Sequence, residues 1–301
     1  MVKNTGFANM VRDLVEDRLG DGYEVSIRDV MKNNGMELTG LSIGATDARI
    51  CPTIYLEALE ERFEKGKISV NEAVEEIISI FRKEDNQDAG SIYTIFSDVE
   101  EIYKRVCPKV INAERNEELL STVPHVRFLD LAEIFLIKME MGGNIGNVTI
   151  KNDLVERLDI DIKRLKEAAH ENMIKRGIDK RSLTSMISEL VGDMGDIGEI
   201  PNNYSGGISM TVVTNPERYN GACCMIDPDI FVDMSEEMGC DLFVLPSSVH
   251  EVIVVPAVSQ CNEDDLRDMV RDVNSTAVSN EDFLSDTLYR FNRNTAQLQV
   301  A

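Results

Sequence analysis

Tryptophan is missing altogether, and aromatic residues make up only 6% of the chain. Holding nucleobases or sugars by stacking them on aromatic faces therefore has little to work with. Basic side chains are scarce as well: 31 Lys and Arg stand against 54 Asp and Glu, a formal charge of −23. Direct nucleic-acid binding needs clustered cations to neutralise phosphates, and docking on an anionic membrane surface needs the same, so neither is expected. No apolar run approaches the roughly 20 residues of a membrane-spanning helix. Near the start, Asp13, Glu16 and Asp17 stand where a secretory leader would be basic and then apolar.

Six cysteines (Cys51, Cys107, Cys223, Cys224, Cys240 and Cys261) form no Cys-x-x-Cys pair. Three histidines (His125, His170 and His250) fall in different segments, none beside a second His or Cys at ligand spacing. Neither disulfide staples nor a metal centre is expected, nor any cofactor; reduced, buried thiols in the cytoplasm are. Cys223 and Cys224, read as neighbours on a strand, would point to opposite faces.

What is present is ordinary core material, 43% hydrophobic over 301 residues. Phe7, Met10, Val11, Leu14 and Val15 recur at helical spacing across residues 5–19. Residues 23–30 and 36–43 alternate like half-buried strands, and Asn33-Asn34-Gly35 between them tolerates positive φ, so a hairpin is expected. Residues 53–56 read as a short extended piece before a helix to about Lys65, and Ser69-x-x-Glu72 is a capping box that opens another. A helix from about Asp98 stops near Pro108, followed by a strand over 109–113 and a short helix over 116–121.

The apolar run 126–137 reads as one central strand, with helix as its rival; Gly142-Gly143-Asn144 closes it and 147–150 pairs back. Asn152 and Asp161 are expected to cap two helices, and 182–191 to form one more. Residues 192–207, rich in Gly, Asn, Asp and Pro, read as a mobile loop. Beyond them 210–214, 222–226, 242–245, 251–255 and 287–300 look like strands, interleaved with helices over 228–238 and 262–274. The fold class is α+β, with mostly antiparallel sheets flanked by helices. A helix-rich N-terminal domain over 1–108 and a sheet-rich C-terminal domain over 109–301 are expected.

The segment that most invites chemistry is Leu245-Pro246-Ser247-Ser248-Val249-His250-Glu251-Val252. Ser247 or Ser248 as nucleophile, His250 as base and Glu251 as the acid would make a serine hydrolase. Residues two or three apart in a tight turn rarely meet that geometry, no Gly-x-Ser-x-Gly elbow is present, and Pro-Ser-Ser suits a turn between strands. Asp227-Pro228-Asp229 and Asn262 to Asp265 are read as helix caps rather than metal ligands. Small and amide residues at Asn215, Asn220 and Gly221 could let a small ligand approach the backbone, a third reading.

Several stretches look familiar together: Val123-Pro124-His125-Val126-Arg127-Phe128-Leu129-Asp130-Leu131-Ala132, Ala168-Ala169-His170-Glu171-Asn172, Val213-Thr214-Asn215, Asn220-Gly221-Ala222, the segment around His250, and Leu284-Ser285-Asp286. The series resembles a family of acidic cytosolic proteins of unknown function found in gut Clostridia, often in accessory genome regions. That resemblance implies a family without a mechanism and no catalytic residues to carry over. The expectation is a non-enzymatic acidic protein that binds a protein partner with a basic surface. Its sharper form is an inhibitor blocking a nucleic-acid-binding groove. Dispersed acidity that serves only solubility is the plainer alternative.

Overall fold

A computed structural model describes residues 6–45, 53–85, 95–141, 144–185, 209–258 and 261–301. The stretch 192–207, expected to be a loop, lies outside the described residues. The chain divides into two compact units, Met1–Ile102 with Lys138–Val148, and Tyr103–Ile137 with Thr149–Ala301.

In the first unit, α1 (Gly6–Leu19) buries Phe7, Val11 and Val15 of the stripe its periodicity predicts, while Met10 is 44% exposed. Strands β1 (Tyr23–Met31) and β2 (Glu37–Ala45) pair antiparallel, with Asn34 left-handed in the turn between them. β3 (Thr53–Tyr55) adds to β2. α2 (Glu57–Glu64) and α3 (Val70–Asp85) follow. The capping box is reciprocal: the Ser69 amide donates to Glu72 at 2.8 Å, and the Glu72 amide to Ser69 Oγ at 3.3 Å. Val74, Ile77, Ile78 and Phe81 of α3 bury among Val25, Leu41 and Ile43 of the sheet.

Helix α4 (Val99–Arg105) leads into the second unit and β4 (Val106–Asn112). Pro108 sits inside β4, an edge strand that can spare one amide. After α5 (Glu117–Thr122), the run expected to be one strand is two: β5 (His125–Phe128) and β6 (Leu131–Met141), paired Phe128 to Leu131 across Leu129-Asp130. Leu129 takes φ +55°, a conformation usually left to Gly or Asn, so ordinary turn residues do not announce the break. β6 is central in the order β4-β6-β5 and turns back as β7 (Asn144–Thr149).

Helices α6 (Asn152–Leu158) and α7 (Ile162–Arg176) come next. Asp161 caps α7 through the Lys163 and Arg164 amides, as expected. Asn152 caps nothing: α6 starts after Lys151 without a side-chain cap, and Asn152 Nδ2 donates to the Ser121 carbonyl instead. Ser182 ends a strand, β8 (Asp179–Ser182), and its Oγ accepts the Ser185 amide at 3.1 Å where the expected helix starts; of that helix only 183–185 are described, and they are helical.

The larger sheet has the order β13-β12-β10-β11-β9-β8, with β9 (Thr211–Thr214), β10 (Leu242–Pro246), β11 (Val252–Pro256), β12 (Tyr289–Asn292) and β13 (Gln297–Val300). Every strand pair with a described register is antiparallel. Its side chains alternate faces. Val213, Leu242, Val244, Val254 and Tyr289 pack with α8 (Pro228–Met238), while Phe243, Leu245, Val255 and Leu288 pack with α9 (Glu263–Ala277). Gly239 ends α8 at φ +73°, and Asn262 caps α9 through the Asp264 amide. The fold is α+β, helix-rich first and sheet-rich later.

One expected strand is a helix. Gly221–Ile226 forms a 3-10 helix, with Gly221 to Met225 all buried. An apolar run enclosed on every side shows no periodicity, so strand and helix look alike in sequence. Cys223 and Cys224 therefore both lie in the core rather than on opposite faces of a strand. Burial pushes the Cys223 thiol well up and that of Cys224 from 9.0 to about 12. The native state keeps such a thiol protonated, so its contribution is whole below pH 9.0 and is lost as pH rises from there toward 12. Unfolding free energy should fall by about 1.4 kcal/mol per pH unit for Cys224 across that window. Denaturation titrations should show a shallower slope in Cys224→Ala; equal slopes would contradict a dry site.

Candidate functional site

Two groups of residues singled out in the sequence meet in the second unit. The loop joining β10 to β11 is bonded to itself. Ser248 Oγ accepts from the His250 amide at 3.0 Å and donates to Glu251 Oε1 at 2.8 Å, and the Ser248 amide points back to the Glu251 carbonyl at 3.4 Å. Beside it β9 ends at Thr214, whose hydroxyl donates to the His250 carbonyl at 2.7 Å. Asn215 clasps the next turn with both ends of its amide, donating to the Tyr219 carbonyl at 2.8 Å and accepting from the Tyr219 amide at 3.2 Å. That turn delivers Asn220 in the left-handed conformation, φ +55°, with its amide donating to His250 Nδ1 at 3.1 Å. Gly221 follows, pressed against the same loop.

A third segment completes the arrangement. His250 Nε2 lies 3.0 Å from Asp282 Oδ1, Ser279 Oγ donates to Asp282 Oδ2 at 2.8 Å, and the Val249 amide donates to the Asp282 carbonyl at 2.8 Å. The Tyr219 ring lies over the imidazole at a centroid distance of 5.1 Å. Asp282, 32 residues from His250, carries no local motif and was not anticipated.

These bonds decide what the histidine can do. A backbone amide always donates, so Nδ1 of the neutral ring is the acceptor and Nε2–H is the donor to Asp282. A His–Asp pair could orient a general base, but only if the other nitrogen faced a nucleophile. Here it faces the Asn220 amide, and Ser248 sends its proton to a carboxylate. Glu251 bonds Ser248 rather than orienting the imidazole, and Ser247, half-buried, stands at the entry of the loop. The imidazole ties three segments, 214–221, 247–251 and 279–282, and offers no unengaged nitrogen. Asn215 and Gly221 serve the same tie. Asn220 Oδ1 is buried and unpartnered.

Two further polar centres were not anticipated. Asp130, in the two-residue turn between β5 and β6, accepts three hydroxyls: Ser285 at 2.6 Å, Thr287 at 3.0 Å and Tyr289 at 2.8 Å. Burial, then the neighbouring Asp130 charge, pushes the Tyr289 phenol up, so it remains a donor. Asn112 and Asn274 hold the same segment through the Leu284 and Ser285 carbonyls at 3.0 and 2.8 Å. On the centre of β6, Glu133 is only 2% exposed and meets His170 of α7 at 2.7 Å, with Lys166 at 4.0 Å. His125 contacts the Val123 carbonyl at 3.1 Å and joins neither centre.

Among the described residues, no group of three or more His, Cys, Asp or Glu is placed to hold a metal ion. Nor is any described helix long and apolar enough to cross a membrane. A cleft of about 600 Å³ opens beside β8 and α8, lined by Lys180, Ser182, Thr211, Met234 and Glu237, none of them a candidate site residue of the sequence.

A family model for proteins of unknown function, DUF5688, matches residues 4–293. The chain belongs to that family. No curated protein and no solved structure matches it. Several stretches that stand out in the sequence, around Asp130, His170, Asn215 and Asn220, His250 and Ser285, coincide with the polar ties described above. Each fastens elements of the second unit.

Proposed function

We propose that the chain is a non-enzymatic binding protein whose acidic surface engages a protein partner through a basic face. The observation that carries the reading is the charge, −23 over 301 residues. Long-range attraction of that size speeds encounter with a cationic surface and repels anionic ones. The geometry at His250 supports it from the other side, because the most reactive-looking cluster spends its donors and acceptors internally. In its sharper form, the partner's basic face is one that otherwise holds nucleic acid.

The test is capture of proteins from a source-cell lysate on the immobilised chain at two salt concentrations. A basic protein should be enriched at about 0.05 M salt and largely lost at about 0.5 M, where the Debye length shrinks to a few ångström. If it normally holds DNA or RNA, adding the chain should release that nucleic acid. Enrichment of acidic proteins only, or of none, would overturn the reading.

A further inference from the structure

Helix α9 carries apolar residues at Leu266, Met269, Val270 and Val273, the i, i+3, i+4, i+7 stripe of a helix with one buried face. Only half of that stripe is used internally. Leu266 and Val270 are 3% and 4% exposed and pack on Phe243, Leu245, Val255 and Leu288 of the sheet. Met269 and Val273, one turn apart, are each 39% exposed.

The border of this pair is charged with one sign. Asp265 and Asp272 flank Met269 and Val273, with Asp268 behind them, all exposed. The two arginines of α9 lie on the opposite flank. Arg267 is held by Asp264 at 2.8 Å and Glu263 at 3.1 Å, and Arg271 by Asp268 at 3.5 Å. Asp265 and Asp272 form no ion pair among the described residues. An apolar ridge with an uncompensated acidic edge is complementary to a helix with an apolar stripe of its own and Lys or Arg along its margins. Methionine adapts its shape to such a contact at little cost.

We infer that the outer face of α9, centred on Met269 and Val273, docks a basic amphipathic helix of a partner protein. This rests on the binding-protein reading and locates its surface.

Fluorescence anisotropy with a labelled synthetic helix tests it, using leucines at i, i+3, i+4 and i+7 and lysines on both flanks. A control peptide keeps the lysines and replaces the leucines by serine. Met269→Ser with Val273→Ser, both at exposed positions, should weaken the leucine peptide about tenfold and leave the control unchanged. Asp265→Asn with Asp272→Asn should weaken both peptides and flatten their salt dependence. On binding, amide-exchange protection should appear on 263–277. Equal affinity for the wild type and the Met269→Ser, Val273→Ser form, or protection confined elsewhere, overturns the assignment. The two levels fail separately. A salt-sensitive basic partner captured equally by both forms leaves the binding reading standing and removes this face. No basic partner captured by the wild type removes both.

Discussion

Asp130→Ala should cost the fold about 3–4 kcal/mol. One carboxylate accepts three hydroxyl groups from the segment entering β12, at 2.6, 2.8 and 3.0 Å. Hydrogen bonds to a charged acceptor contribute roughly 1.5–3 kcal/mol each but are not additive within one network. The decisive partner is Tyr289. Its side chain is fully buried, so a phenol without an acceptor would keep its desolvation cost with nothing to offset it. Ser285 and Thr287 are less exacting, since Ser285 also accepts the Thr287 amide at 2.9 Å. Tyr289→Phe should therefore lose less than Asp130→Ala, because it removes the donor together with the need for an acceptor. Asp130→Asn, which keeps one acceptor oxygen but no charge, should fall between them. Equilibrium denaturation of the three variants gives the order directly. An Asp130→Ala protein within about 1 kcal/mol of wild type would mean water replaces the carboxylate and the tie is not structural.

That tie also marks where sequence reading stops. Elements whose signals are local were legible: the stripe of α1, the turn residues of the 23–45 hairpin, the Ser69–Glu72 box, and Gly239 after α8. Each depends on residues within one or two turns of chain. The single strand expected over 126–137 failed because Leu129 occupies a left-handed turn position without being Gly or Asn. The strand expected over 222–226 failed because burial on every side erased the periodicity that separates strand from helix. At the site, the segment around His250 and the residues Asn215, Asn220 and Gly221 were picked out by type, but their meeting was not foreseen. Their partners lie 30 and 32 residues from His250, and those of Asp130 lie 155 to 159 residues away. Pairings that distant are set by strand order, which local spacing does not encode. The same distance separates the two readings of His250: beside Ser248 in sequence it looks like a base, and in the fold its nitrogens face Asn220 and Asp282.

Gly221→Ala is expected to be the most damaging small substitution at that junction. A Cβ there would lie 2.1 Å from Thr214 Oγ1, 2.5 Å from the His250 carbonyl oxygen and 2.7 Å from the Asn215 amide nitrogen. Two of those three atoms are backbone and cannot rotate away. The third is the hydroxyl that donates to the same His250 carbonyl at 2.7 Å, so moving it breaks a bond in a buried setting. Relief requires the 247–251 loop to separate from the end of β9. That shift would strain the Asn220–His250 and Ala222–Val249 hydrogen bonds together, at 3.1 and 3.2 Å in the intact chain. Overpacking of this kind costs typically 1–3 kcal/mol, and immobile backbone places this case at about 3 kcal/mol or beyond. Proton exchange at the Asn220 and Ala222 amides should accelerate well before global unfolding is reached. Thr214→Ala, Gly221→Ala as a double variant removes the hydroxyl contact yet should recover little, because the two backbone contacts remain. If the single variant melted like the wild type with both amides still protected, the close approach at Gly221 would not be a requirement of the junction.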